Sequence, residues 1–82
     1  MTREEVFTLV RDHLAAELEV DPAAISDETR FKEDFDADSL DLYELAMELE
    51  DRYGISVSEE QAVGIKTVGD AVSFVLEHAP TA

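Results

Sequence analysis

The chain reads as all-α, a small antiparallel bundle of four helices, three long and one short. Three observations predict it. Apolar residues recur at helical spacing in three stretches, helix-opening caps precede each run, and alternation of the kind a strand needs is weak throughout. At 82 residues one domain is expected over 1–82, with a core that buries only roughly 60% of the unfolded surface.

The first helix is expected over about 3–19. Thr2-Arg3-Glu4-Glu5 has the form of a capping box, in which the Thr2 hydroxyl accepts from a backbone N–H and Glu5 reaches back. Val6, Val10, Leu14 and Leu18 follow at four-residue spacing with Phe7 beside them. Asp21-Pro22 closes the segment, because a residue before proline leaves helical geometry. From Val20 to Asp38 no period is sustained, so this long loop must be pinned by its own apolar residues, Ile25, Phe31 and Phe35.

A second helix is expected over 39–53, with Asp38 as N-cap and Gly54 as a left-handed stop. Leu42, Leu45, Ala46, Leu49 and Tyr53 make its core face. Ser58-Glu59-Glu60-Gln61 caps a short third helix over 59–63, ended by Gly64, and Ile55–Val57 lacks a strand partner. Thr67-Val68-Gly69-Asp70 opens the last helix over 68–78, with Val68, Ala71, Val72, Val75 and Leu76 inward and Pro80 beyond its end.

Composition excludes whole classes of function. Six Lys+Arg stand against 21 Asp+Glu, a formal charge of −15, so nucleic acid and anionic membrane surfaces are unsuitable partners. A basic protein partner fits better. No cysteine is present, which removes disulfides, thiolate metal sites and cysteine nucleophiles. No signal-peptide core or membrane span is visible, and the chain reads as a free-standing, cytoplasmic monomer. Enzyme motifs are missing, and His13 and His78 read as structural, the latter complementing a helix C-terminus. We expect no catalytic residue and no metal site. Asp34-Phe35-Asp36-Ala37-Asp38 spaces its acids like an EF-hand, but that loop needs glycine and glutamate where this chain has Ser39 and Leu45.

The second helix carries more apolar surface than a core requires. At ~100° per residue, Leu40, Tyr43 and Met47 point roughly 140° away from its core face. Asp41, Glu44, Glu48 and Asp51 run along the adjoining side. Between Glu33 and Glu60 lie eleven acids and one basic residue, Arg52. Two readings follow: a docking strip for a partner with a basic, apolar-centred groove, or one wide buried face beside a solvated one. Ser39, at the first position of this helix, stands where backbone N–H groups and the helix dipole favour a phosphate, although Asp36, Asp38 and Asp41 partly oppose it. A plain first-turn serine is the competing reading.

The residues around Ser39 resemble those of the acyl carrier proteins. Asp34-Phe35-Asp36-Ala37-Asp38-Ser39-Leu40-Asp41 matches that family's motif Asp-Leu-Gly-Ala-Asp-Ser-Leu-Asp at six of eight positions. Similarity extends through Val20-Asp21-Pro22, Ile25 and Phe31, and on through Glu44-Leu45, Met47, Leu49-Glu50, Tyr53-Gly54 and Ile65-Lys66-Thr67-Val68-Gly69-Asp70.

The resemblance implies a fatty-acid synthesis carrier whose Ser39 receives 4′-phosphopantetheine from coenzyme A, with acyl groups riding as thioesters on its thiol. It implies as partners a holo-carrier synthase and basic-patched acyltransferase, ketosynthase, reductases and dehydratase. Asp38, Leu40, Asp41, Glu44, Met47, Glu48, Glu50 and Asp51 would form the partner face, and Leu49, Ala62 and Ile65 would line an acyl pocket. Phe35, Asp36, Tyr43 and Arg52 depart from the family pattern; Asp36 replaces glycine but tolerates a left-handed backbone better than most residues. A polyketide or other specialised carrier remains an alternative, as do an acidic interaction module without a prosthetic group and a calcium-responsive helical protein.

Overall fold

The computed structural model describes residues 2–36 and 38–79, with only the backbone of Ser39. The described residues form five α-helices: α1 (Arg3–Leu18), α2 (Phe31–Phe35), α3 (Ser39–Tyr53), α4 (Glu59–Gly64) and α5 (Val68–His78). A 3-10 turn occupies Pro22–Ala24. Three helices are long, and among the described residues there is no strand. No described helix is long and apolar enough to cross a membrane.

Capping chemistry starts four of these helices where the sequence expects. Thr2 with Glu5, Asp38 with Asp41, Ser58 with Gln61 and Thr67 with Asp70 each form a complete box. Each satisfies two backbone N–H groups that a helix start would otherwise leave unpaired. Gly54 ends α3 at φ 65, the left-handed stop expected there.

Two helix ends differ from expectation. α1 stops at Leu18, ahead of Pro22, because Glu19 turns left-handed at φ 55 and Val20 N–H reaches back to the Ala15 carbonyl at 3.1 Å. Pro22 instead opens the 3-10 turn, where the Asp21 carboxylate accepts from Ala23 N–H at 2.9 Å. Gly64 is the last residue of α4 and has no positive φ; Ile65, in extended conformation, caps the helix. The expected place of Pro80 lies outside the described residues.

The core is built where the apolar stripes meet. Val6, Val10 and Leu14 of α1 are buried, as are Val68, Ala71, Val72 and Val75 of α5, and α1 packs principally against α5. Leu45 and Leu49 of α3 join this cluster. Leu76, expected inward, is 36% exposed, because the stripe Val68, Ala71, Val72, Val75 already fills the inward face of α5.

The long connection is held as its apolar residues suggest, and more firmly. Ile25 and Phe31 are buried and Phe35 half-buried. Backbone bonds then stitch it to the segment before α5. Phe31 N–H donates to the Lys66 carbonyl at 3.1 Å, Val68 N–H to Thr29 at 3.0 Å and Gly69 N–H to Asp27 at 2.8 Å. Arg30 and Thr67 form an isolated antiparallel bridge. Gly69 is glycine because a Cβ there would meet the Asp27 carbonyl oxygen at 3.0 Å. Arg3 clamps the same place, pairing with Asp27 at 3.2 Å and donating to Ser73 Oγ at 3.1 Å. The chain leading into α3 is therefore anchored from behind.

Candidate functional site

A short turn delivers the chain to α3. α2 ends at Asp36, which adopts φ 55 and donates its N–H to the Lys32 carbonyl at 3.0 Å. An aspartate can occupy this left-handed conformation, so the departure from glycine leaves the turn intact. Asp38 then runs extended, and its capping box with Asp41 closes through two hydrogen bonds of 3.1 Å. Ser39 takes the first helical position; its hydroxyl lies outside the described residues. Its neighbours Asp38 and Leu40 are both exposed, Leu40 by 64%.

The second apolar stripe of α3 is exposed. Tyr43 is 40% and Met47 60% open to solvent, on the same strip as Leu40. Val63 of α4, 74% exposed, is a further large apolar residue on the surface. The reading of α3 as one wide buried face is thus set aside.

The expected acids fall into distinct settings. Asp51 is exposed, while Asp41, Glu44 and Glu48 are half-buried. Glu48 pairs with Arg52 at 3.0 Å, one helical turn on. Glu50 turns to the connection after α3, where its Oε2 accepts from Val57 N–H at 2.8 Å. That bond fixes the Ile55–Val57 run as loop.

Leu49, Ala62 and Ile65 come together in the structure. With Leu42, Leu45, Ala46, Val57 and Ala71 they surround a cavity of only about 10 Å³. Beside it opens a larger cleft of about 550 Å³, within the usual range of ligand sites. Its apolar lining is Phe31, Leu42, Tyr43, Ala62, Val63 and Ile65. Leu42, Ala62 and Ile65 border both spaces, so they form the partition between them.

Some of this site is not visible in the linear sequence. The Tyr43 hydroxyl donates to Glu59 Oε1 at 2.5 Å, tying α3 to α4 beside the cleft. That bond, and after it burial, raise the Tyr43 pKa above its ordinary value. Glu17 of α1 brings a carboxylate oxygen within 4.8 Å of those of Asp41 and Glu44. No periodicity announces either meeting, since each depends on how separate helices pack.

The described residues thus set the motif serine at the first position of an acidic helix that also borders an apolar cleft. A family model described as "Phosphopantetheine attachment site" matches residues 8–75. The acyl carrier protein of Lactobacillus acidophilus is 45% identical over 78 residues, covering 95% of this chain and 98% of that one. That of Rubrobacter xylanophilus is also 45% identical, covering 95% and 96%. Among solved structures, one of the acyl carrier protein from Enterococcus faecalis overlays with a TM-score of 0.83 at 35% identity, covering 96% of this chain and all of that one. The chain belongs to the phosphopantetheine-attachment family, in the company of the acyl carrier proteins.

Proposed function

We propose that this chain carries acyl groups for fatty-acid synthesis as thioesters on a 4′-phosphopantetheine joined to the Ser39 hydroxyl. It is a carrier and not a catalyst. When bound, the group supplies the thiol that a cysteine-free chain lacks. The observation that carries the assignment to Ser39 is its place at the first position of a fifteen-residue helix, between exposed neighbours, inside a matched attachment family.

The residues around that position fit a phosphodiester. A helix start favours a negative group through its N–H dipoles, and the Asp36 turn with the Asp38–Asp41 box holds that start in place. The carboxylates of Asp38 and Asp41 are occupied in capping each other's backbone, which moderates their repulsion of a phosphate.

Partner enzymes are met by the exposed face of α3. Leu40 and Met47 offer apolar contact, and Asp38, Asp41, Glu44, Glu48 and Asp51 offer charge to basic patches, whereas Glu50, expected on this face, is turned to Val57 N–H. A holo-carrier synthase and the acyltransferase, ketosynthase, reductases and dehydratase of the pathway are the partners in this reading. An acyl chain enters through the larger cleft and extends toward Leu49 when Leu42, Ala62 and Ile65 give way. The polyketide and interaction-module alternatives gain nothing from the fold or from the relatives. Incubation with coenzyme A and a holo-synthase tests the assignment: one phosphopantetheine is gained by the parent and none by Ser39→Ala.

A further inference from the structure

The charge of α3 changes along its length. Asp38 caps the helix and Asp41 and Glu44 lie in its first two turns, where Glu17 of α1 brings a third carboxylate within 4.8 Å of those of Asp41 and Glu44. Among the described residues none of these four acids is in an ion pair. The last two turns differ. Arg52 is the one base between Glu33 and Glu60, and its Nε donates to Glu48 Oε1 at 3.0 Å. Glu50 accepts from Val57 N–H, which leaves Asp51 as the acid of these turns with neither an ion pair nor a hydrogen bond among the described residues.

At ~100° per residue, Asp41, Glu44, Glu48 and Arg52 fall on one flank of α3, beside the strip of Leu40, Tyr43 and Met47. A row of carboxylates therefore ends in a guanidinium. To an approaching cationic surface the Glu48–Arg52 pair is a dipole without net charge. Its effect is also local, because Arg52 lies about 20 Å along the axis from Ser39, twice the ~10 Å over which salt screens exposed charges.

We infer that Arg52 is a specificity-determining residue: by neutralising Glu48 it confines the docking of basic partners to the Ser39 end of α3. Resting on the carrier reading above, this names the partner surface that fits. Its cations are compact and sit close to the modified serine, and a basic patch that runs the length of α3 meets repulsion at Arg52. A cation in the last turn also complements the helix dipole, so a role confined to the helix would move stability and leave partner recognition alone.

Initial rates of phosphopantetheine transfer by a holo-synthase are measured with the carrier as varied substrate, for parent, R52A, R52K and R11A at low and high ionic strength. R52A is expected to lower KM about threefold at low salt with kcat unchanged, the scale of one exposed charge interaction. R52K keeps the charge and behaves as the parent. R11A removes the same charge from α1, where Arg11 pairs with Asp12, and leaves KM unchanged. High salt erases the gain of R52A. In a second arm, octalysine is titrated into unloaded protein and amide shifts along α3 are recorded. They centre on Asp41 and Glu44 in the parent and extend to Glu48 and Asp51 in R52A. An R52A KM equal to that of the parent, an equal fall in R11A, a gain that survives high salt, or identical octalysine shifts in parent and R52A overturns the inference. If the synthase adds nothing to the parent, the Ser39 reading fails by itself, and the octalysine titration still decides Arg52.

Discussion

The hydroxyl of Tyr43 donates to Oε1 of Glu59 at 2.5 Å, linking the middle of α3 to the first residue of α4. Both residues line the larger cleft, so this single bond ties the helix that carries the exposed apolar strip to the far wall of that cleft. Removing it frees α4 without disturbing the core, because Tyr43 lies on the exposed stripe.

Tyr43→Phe is therefore expected to leave the fold intact, lower the melting temperature slightly and increase amide exchange in Glu59–Gly64. Exchange unchanged across α4 would show that the bond holds nothing in place.

Alkaline titration tests the same contact by its sign. Tyr43 is raised by its bond to Glu59 and then by burial, and Tyr53 is raised chiefly by burial. A group whose folded pKa is raised contributes stability that is fully present below its unfolded value, ~10 for tyrosine, and lost as pH rises through the higher folded value. The chain has two tyrosines and no tryptophan, so tyrosinate absorbance reports them alone. Both should ionise above the ordinary range in the folded protein, and melting should lose ground only on that alkaline side. A transition at the model-peptide value would contradict the geometry.

Two helical glycines should respond to alanine with opposite signs. At Gly69 a Cβ would meet the Asp27 carbonyl oxygen at 3.0 Å, and that carbonyl is held by the Gly69 N–H itself. Gly69→Ala should cost about 1 kcal/mol, the gain in helix propensity being outweighed by the shift it forces. At Gly64 nothing lies within 4 Å and φ is not positive, so Gly64→Ala should stabilise by ~0.5–1 kcal/mol. Chemical denaturation of the two variants measures the difference directly.

Repulsion between α1 and α3 gives a fourth expectation. The carboxylates of Glu17, Asp41 and Glu44 gather within 4.8 Å of one another. Glu17→Gln should raise stability by roughly 0.5 kcal/mol at low ionic strength, the scale of exposed charge pairs. Added salt or magnesium should raise the parent's melting temperature and shrink the variant's advantage. An advantage that persists in high salt would assign the effect to packing.

What could be read from the sequence was local chemistry. The boxes Thr2/Glu5 and Ser58/Gln61 and the N-cap Asp38 place helix starts because each puts a capping oxygen three residues ahead of an unpaired N–H. The exposure of Leu40 and Met47 follows from counting angles around one helix. α2 escaped notice because Phe31–Phe35 is too short to show a period, and its N-cap Arg30 makes no side-chain cap. The stop at Glu19 carries no glycine to mark it. Long-range meetings such as Asp27 with Gly69, Tyr43 with Glu59 and Glu17 with Asp41 depend on packing angles that no short window contains.

The central claim is that Ser39 bears the arm, and intact mass spectrometry tests it most directly. Parent protein, Ser39→Ala and a serine control, Ser58→Ala, are incubated with coenzyme A and a holo-synthase. The account predicts one added phosphopantetheine on the parent and on Ser58→Ala, and none on Ser39→Ala. A parent that stays bare, or a Ser39→Ala variant that takes up the group as readily as the parent, would contradict it.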